Sequence, residues 1–418
     1  NAGEQTVREL ASILEGESPI PADLPLIPDH SVDVLVVGGG GAGCAAALHA
    51  HGEGANVLLA TKLRLVDSNS VMAQGGMQIA VAPDDSPVQH FLDTLKGGHM
   101  KNDHALLKVM VEEGPTIAKW LIELGVLFDR DADGNLHVKK GGGSSKERLL
   151  TCSDYTGLEI MRVLKDEVLN QKIPLLEFAA VLELLSDEHG NCTGAVLQDL
   201  DNKRLVVVAA KTVILATGGI GRLHIQGFPT SNHYGATGDG LAMAYRMGSP
   251  LVQIDTFQYH PSGGIYPEQL VGALVTEGIR SEGGHLVNGK GERFVNELDT
   301  RDVVSSSIIR ECEEGRGVQV ASGRVGVWLD TPLLDVEHGA GTLDKHFPAM
   351  VKQYERFNVD IRKDPVLIYP TLHYQNGGVK IDEYSETPPR IRPLWLISPT
   401  NRSDLSPRIP GERLAPSP

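Results

Sequence analysis

Val32-Asp33-Val34-Leu35-Val36-Val37-Gly38-Gly39-Gly40-Gly41-Ala42-Gly43 sets a β-branched, apolar run directly before a glycine cluster. Such a run reads as a central parallel strand covered on both faces. Gly38, Gly40 and Gly43 satisfy the spacing G-x-G-x-x-G in the strand–turn–helix context that this motif requires. Gly38 permits the tight turn, Gly40 lets main-chain N–H groups approach a pyrophosphate at a helix N-terminus, and Gly43 lets helix and strand pack closely. A helix over 42–51 and a strand at Val57-Leu58-Leu59-Ala60 complete a strand–helix–strand unit of about 30 residues. A ribose-gripping acid is expected about 20 residues after the loop. Ala60-Thr61-Lys62 stands there instead, so Thr61 and Lys62 become the candidate ribose or phosphate contacts.

Composition frames this motif. The chain has 418 residues, 41% hydrophobic and 22% charged, which suits a globular protein of about two domains with a sizeable core. Its formal net charge of -16 argues against nucleic-acid partners, so an anionic ligand needs a local cluster of cations. Cys44, Cys152, Cys192 and Cys312 lie far apart without a C-x-x-C pair, so neither an iron–sulfur cluster nor any other metal site is expected. A reduced, cytoplasmic setting is the simplest expectation. No apolar run approaches the roughly 20 residues of a membrane span, and the N-terminus lacks a signal peptide's basic-then-apolar order. Direct membrane insertion is therefore not expected.

Further along, Val181–Leu185, Gly194–Gln198 and Arg204–Val208 read as a β-meander. Thr212–Gly219 reads as a second buried parallel strand ending at a glycine pair. Glycines at Ala216-Thr217-Gly218-Gly219 and Thr237-Gly238-Asp239-Gly240 allow main-chain approach to a flat ring or a phosphate. Their order, with the meander between, favours FAD over NAD. The candidate cofactor set is therefore Gly38, Gly40, Gly43, Thr61, Lys62, Val181, Thr217, Gly218 and Asp239. Ser68, Asn69, Ser70, Gln74, Gly75 and Gly76 join it as a polar, Gly-ended segment suited to run beside the flavin ring. The fold class is α/β: a Rossmann-like FAD-binding domain, parallel sheet plus β-meander, with an inserted α+β capping domain. The expected divisions are an N-terminal arm over 1–30, the FAD-binding domain over 31–252 and the cap over 253–375. A return to the FAD-binding domain follows over 376–387, then an aberrant or disordered tail over 388–418.

These motifs resemble the succinate dehydrogenase/fumarate reductase flavoprotein family, which includes L-aspartate oxidase. The resemblance runs from about Asp33 to Thr387 and rests on Asn69–Gly76, Thr237–Gly240, Gln258-Tyr259-His260-Pro261, Thr276–Arg280, Arg301–Ser305 and His373-Tyr374 with Gly377-Gly378. Asn69 stands where the respiratory enzymes carry the histidine of covalent FAD, so noncovalent FAD is expected. The resemblance implies that His260 and His373 hold the carboxylates of a small dicarboxylate and that Thr276 donates a hydroxyl. It implies Arg301 as the proton donor, refilled through Glu277 and Arg280. The expected activity is interconversion of succinate and fumarate, with electrons exchanged through an iron–sulfur or other electron-transfer subunit that could also bring the chain to a membrane. L-Aspartate oxidase stays open as an alternative, with Lys139-Lys140 against it where that branch carries an acid. A noncatalytic flavin-binding or assembly subunit is the third reading. Arg148 is left between the site and a solvated loop. The family's next strand, Gly-Leu-aromatic-Ala, and the arginine of its Asn-Arg-Leu-Gly segment are not found. Thr387–Pro418 holds eight prolines and five arginines instead, so the family-like sequence is expected to break off near Thr387.

Overall fold

The structure is a computed structural model that describes residues 23–223 and 227–387, the backbone of 394–396, and scattered positions before residue 23. Part of the expected N-terminal arm over 1–30 lies outside the described residues.

The glycine-loop strand, His30–Val37 (β1), is followed by the helix Gly41–Gly52 (α1) and the strand Val57–Ala60 (β2). The helix Thr156–Asn170 (α2) packs on α1, whose small residues from Gly43 to Leu48 are all buried. Beyond it come Ala179–Ser186 (β3), Cys192–Asp199 (β4) and Leu205–Leu215 (β5). In the large sheet β2, β1, β5, β4 and β3 lie side by side. The first three run parallel, with Val37 opposite both Ala60 and Leu215. The chain therefore leaves three strands at one level, through Gly38, Thr61 and Ala216, and this carboxyl edge is where open α/β sheets bind ligands.

Two expectations change. Arg204–Val208 and Thr212–Gly219 are not separate strands but one, β5, antiparallel to β4 and parallel to β1. The intervening Ala209-Ala210-Lys211 contains no glycine, proline or asparagine to turn the chain, so extended structure continues through it. The segment after residue 387 also differs from a tail without regular structure. Leu394–Leu396 forms a strand parallel to β5, registered with Val213–Leu215. The apolar Leu-Trp-Leu triplet carried that signal within a proline- and arginine-rich surround. The rest of 388–418 lies outside the described residues.

A second, antiparallel sheet is built from Phe257–Gly264 (β6), His285–Val287, Val325–Asp330 and Val366–Gln375 (β7). It has its own core, including Val275, Ile279, Leu286, Val304, Ile308, Val327, Leu329 and Met350. Pairing of β6 with β7 is irregular at two places. Gln258 and Tyr259 oppose Tyr374 and Leu372, leaving His373 as an extra residue on β7. A second shift lies between His260 and Gly263, where Pro261 has no N–H to offer the ladder. Such bulges re-aim side chains beside functional sites.

Candidate active site

A cavity of ≈ 380 Å³ opens at the carboxyl edge of the large sheet, lined by Gly38–Gly41, Thr61, Lys62, Ser68, Asn69, Ser70, Val181, Thr217, Gly218 and Asp239. The glycines are required by space. A Cβ on Gly38, at φ +120, would lie 2.2 Å from the Ala216 carbonyl oxygen, and one on Gly43 would lie 1.7 Å from that of Gly38. At the start of α1 neither an acidic residue in the first turn nor a side-chain cap occupies the amides, although Gly41 N donates to Ser70 Oγ at 3.2 Å. A pyrophosphate fits such a helix start. Lys62 Nζ is held by Asp239 Oδ2 and Thr237 Oγ1, each at 2.7 Å. Asn69 is clamped, its amide donating to Asn232 Oδ1 at 2.9 Å and accepting from His233 N at 2.6 Å. These residues fit a bound FAD.

Gln74, Gly75 and Gly76 lie outside the cavity lining. Gln74 Nε2 donates to Gln353 Oε1 at 3.2 Å, and Gly76 packs so tightly on the Leu150 carbonyl that a Cβ would approach it to 2.2 Å.

His373 lines the same cavity, and its ring centroid is 5.1 Å from that of His260. Behind them lies the cation cluster. Glu277 precedes the short helix Gly278–Ser281 (α3), which sets Arg280 three residues on over the same carboxylate. Arg301 begins the helix Arg301–Glu313 (α4). Glu277 Oε2 receives Arg301 Nε at 2.9 Å and an Arg280 terminal nitrogen at 3.3 Å, with His260 Nε2 at 3.9 Å. Glu277 Oε1 accepts the Gly142 amide at 3.1 Å. Arg301 also donates to Gln258 Oε1 at 2.8 Å, and Arg280 to Ser262 Oγ at 3.1 Å and to the Glu297 carbonyl. Thr276 is buried, its hydroxyl oxygen accepting from Gly278 N at 3.3 Å.

The electrostatics follow from burial and proximity. Burial alone would raise the Glu277 carboxyl, but the Arg301 and Arg280 guanidiniums overcome it and hold it at about 2. His260 is pushed well below the ordinary imidazole range by burial, then by Arg301, and His373 falls to about 3 for the same reasons in the same order. Both rings are therefore neutral. Ser262 N donates to His260 Nδ1 at 3.2 Å, which places the ring proton on Nε2. Burial also lowers Arg280, easing proton release from it.

The structure thus brings Arg301, Glu277, Arg280, His260 and His373 into one cluster beside the cavity. Gln258 and Ser231, whose Oγ lies 2.8 Å from His373 Nδ1, were missed as site residues. Gln258 had a signal, standing two positions before His260 on one strand; Ser231 reaches its partner only through the tertiary fold. Arg148 is neither at the site nor solvated. It is fully buried and ion-paired with Asp85 at 2.7 Å and Asp93 at 2.9 Å. Lys139 pairs with Glu282 at 3.0 Å, while Lys140 is exposed. Among the described residues no helix is long and apolar enough to cross a membrane, and no group of three or more His, Cys, Asp or Glu could hold a metal ion.

Comparison with known proteins gives a consistent picture. The FAD binding domain family matches residues 33–392. The chain is 38% identical over 368 residues to a component of the fumarate reductase (CoM/CoB) of Methanothermobacter marburgensis, covering 86% of this chain and 65% of the relative. It is 34% identical to the L-aspartate oxidase of Streptomyces coelicolor, covering 85% of this chain and 61% of that one. The FrdA chain of E. coli quinol fumarate reductase superposes with a TM-score of 0.82 at 30% identity, over 90% of this chain and 66% of that one. The chain spans less than two thirds of the length of these relatives.

Proposed function

The chain belongs to the succinate dehydrogenase/fumarate reductase flavoprotein family, and we propose that it interconverts succinate and fumarate. The observation that carries this is the unbroken line from the FAD cavity through His373 and His260 to a carboxylate shared by Arg301 and Arg280.

In this reading the two neutral histidines hold carboxylate oxygens through ring N–H groups, and Thr276 adds its hydroxyl. FAD, held by the glycine loop with Thr61, Lys62 and Asp239, would supply hydride chemistry to one alkene carbon when bound. Arg301 gives a proton to the other carbon, so the alkene gains one hydride and one proton and the dicarboxylate keeps its charge. A guanidinium holds its proton tightly, so transfer needs a very basic carbon and immediate replacement. Glu277 Oε2, within reach of both guanidiniums, passes a proton from Arg280 to Arg301. Cationic groups near the carbon also stabilise charge as it develops. Electrons are exchanged with a separate iron–sulfur protein or another carrier.

Oxidation of L-aspartate is a second reading, supported by the S. coelicolor relative and by Asn69 at the site of covalent attachment elsewhere in the family. Fumarate-dependent reoxidation of reduced flavin, run beside succinate and aspartate as reductants, separates the readings. A noncatalytic flavin-binding subunit would turn over none of them with FAD bound. Arg301→Ala is expected to lower turnover by about 10³-fold with the flavin spectrum intact; near-normal turnover would remove Arg301 as the acid.

A further inference from the structure

Strands Val138–Lys140 and Glu147–Leu150 form a hairpin that meets the segments around Glu277 at three points. Lys139 Nζ meets Glu282 Oε1 at 3.0 Å, Gly142 N donates to Glu277 Oε1 at 3.1 Å and Gly143 N donates to the Leu298 carbonyl at 3.0 Å. The loop is anchored from behind. Ser145 donates its amide and hydroxyl to Asp93 Oδ2 at 2.9 and 2.7 Å, and the fully buried Arg148 holds Asp93 at 2.9 Å. Glycine is suited to position 142, because a Cβ there would lie 3.2 Å from Glu277 Oε1, and Gly143 turns the loop at φ +71.

We propose that the Gly142 main-chain N–H is a positioning donor for the proton relay, with Asp93 and Arg148 as its anchor. This rests on the reading of Glu277 as the relay carboxylate. By occupying Oε1, the amide leaves Oε2 as the single oxygen facing Arg301, Arg280 and His260 at 2.9, 3.3 and 3.9 Å. Without that hold the carboxylate can rotate to pair both oxygens with one arginine, the common fork geometry, and the other arginine drops out of the path. The peptide N–H keeps its own proton throughout. It fixes the oxygen that carries the transferred one.

Gly142→Pro deletes the donor, and Gly142→Ala adds similar bulk at Cβ while keeping it. The expected result for the proline variant is a fall in kcat of about 10²-fold, a KM for fumarate within a few-fold, a larger solvent deuterium isotope effect and unchanged flavin absorbance. The alanine variant keeps the donor but presses a Cβ against Glu277 Oε1, so its fall in kcat should be smaller than the proline variant's. Equal losses in both variants, parent-like kcat in the proline variant, or a loss confined to KM would each overturn the proposal. If the proline variant takes up no FAD, Asp93→Ala loosens the anchor from outside the site; the same kcat-selective loss is expected, and parent-like kcat overturns the proposal. Glu277→Gln separates this test from the functional reading. Full activity there removes the relay itself, whereas an inactive Glu277→Gln with a parent-like Gly142→Pro removes only the role of Gly142.

Discussion

Glu277 is the residue on which the site's electrostatics turn, since one oxygen of its carboxylate meets two guanidiniums and faces an imidazole. Its carboxyl stays ionised at any working pH. The histidines set the pH dependence. Their folded-state values lie below the ordinary 6.5, with His373 at about 3, so below pH 6.5 the unfolded chain binds more protons than the folded one. Their contribution is present above pH 6.5 and is lost as pH falls toward 3. Melting temperature should therefore decline below pH 6.5, and His373→Gln should make that decline shallower; an unchanged slope would contradict the neutral, buried assignment. Arg148 offers a prediction at the same scale. Arg148→Met leaves Asp85 fully buried and Asp93 largely so, without their partner, and should cost about 3–5 kcal/mol in denaturant unfolding. A change near zero would mean that the ion pairs contribute nothing net. The Arg-Glu-Arg set was legible because each member sits in a distinctive short motif. Arg148 was misread because a loop composition of Gly and Ser hides the acids, 55 and 63 positions earlier, that bury it.

At the scale of elements, the strand–loop–helix start of the chain was read correctly because β-branched residues, glycine spacing and helix signal all agree there. The meander was harder. Its third strand continues into the second parallel strand, and only an absence of turn residues marks the join. The β6–β7 bulges were not legible at all, since register is settled by both strands together. The glycine loop gives a two-part prediction. A Cβ at Gly40 comes no closer than 3.4 Å to Ser68, so Gly40→Val should fold with a parent-like circular dichroism spectrum yet fail to retain FAD. Gly43→Val, with the Gly38 carbonyl in its place, should fail to fold. Retention of FAD by the Gly40 variant would contradict the placing of the pyrophosphate at α1.

Across the whole molecule, two sheets with separate cores meet at one site. The parallel sheet presents its carboxyl edge to the cofactor, and the antiparallel sheet supplies His260, His373, Glu277, Arg280 and Arg301 through its strands and helices. The hairpin at 138–150 ties them together. The change in the chain's texture near Gln253 suggested such a division. The hairpin's crossing was not readable, as main-chain N–H contacts leave no trace in residue type. We propose that this site reduces fumarate with electrons from bound FAD. Rapid mixing of the photoreduced, FAD-loaded chain with fumarate, followed at the flavin absorbance band, tests it without any electron partner. The expected outcome is prompt reoxidation that Arg301→Ala slows by about 10³-fold while the flavin remains bound. Flavin that stays reduced in fumarate, or that reoxidises equally fast without Arg301, would contradict it.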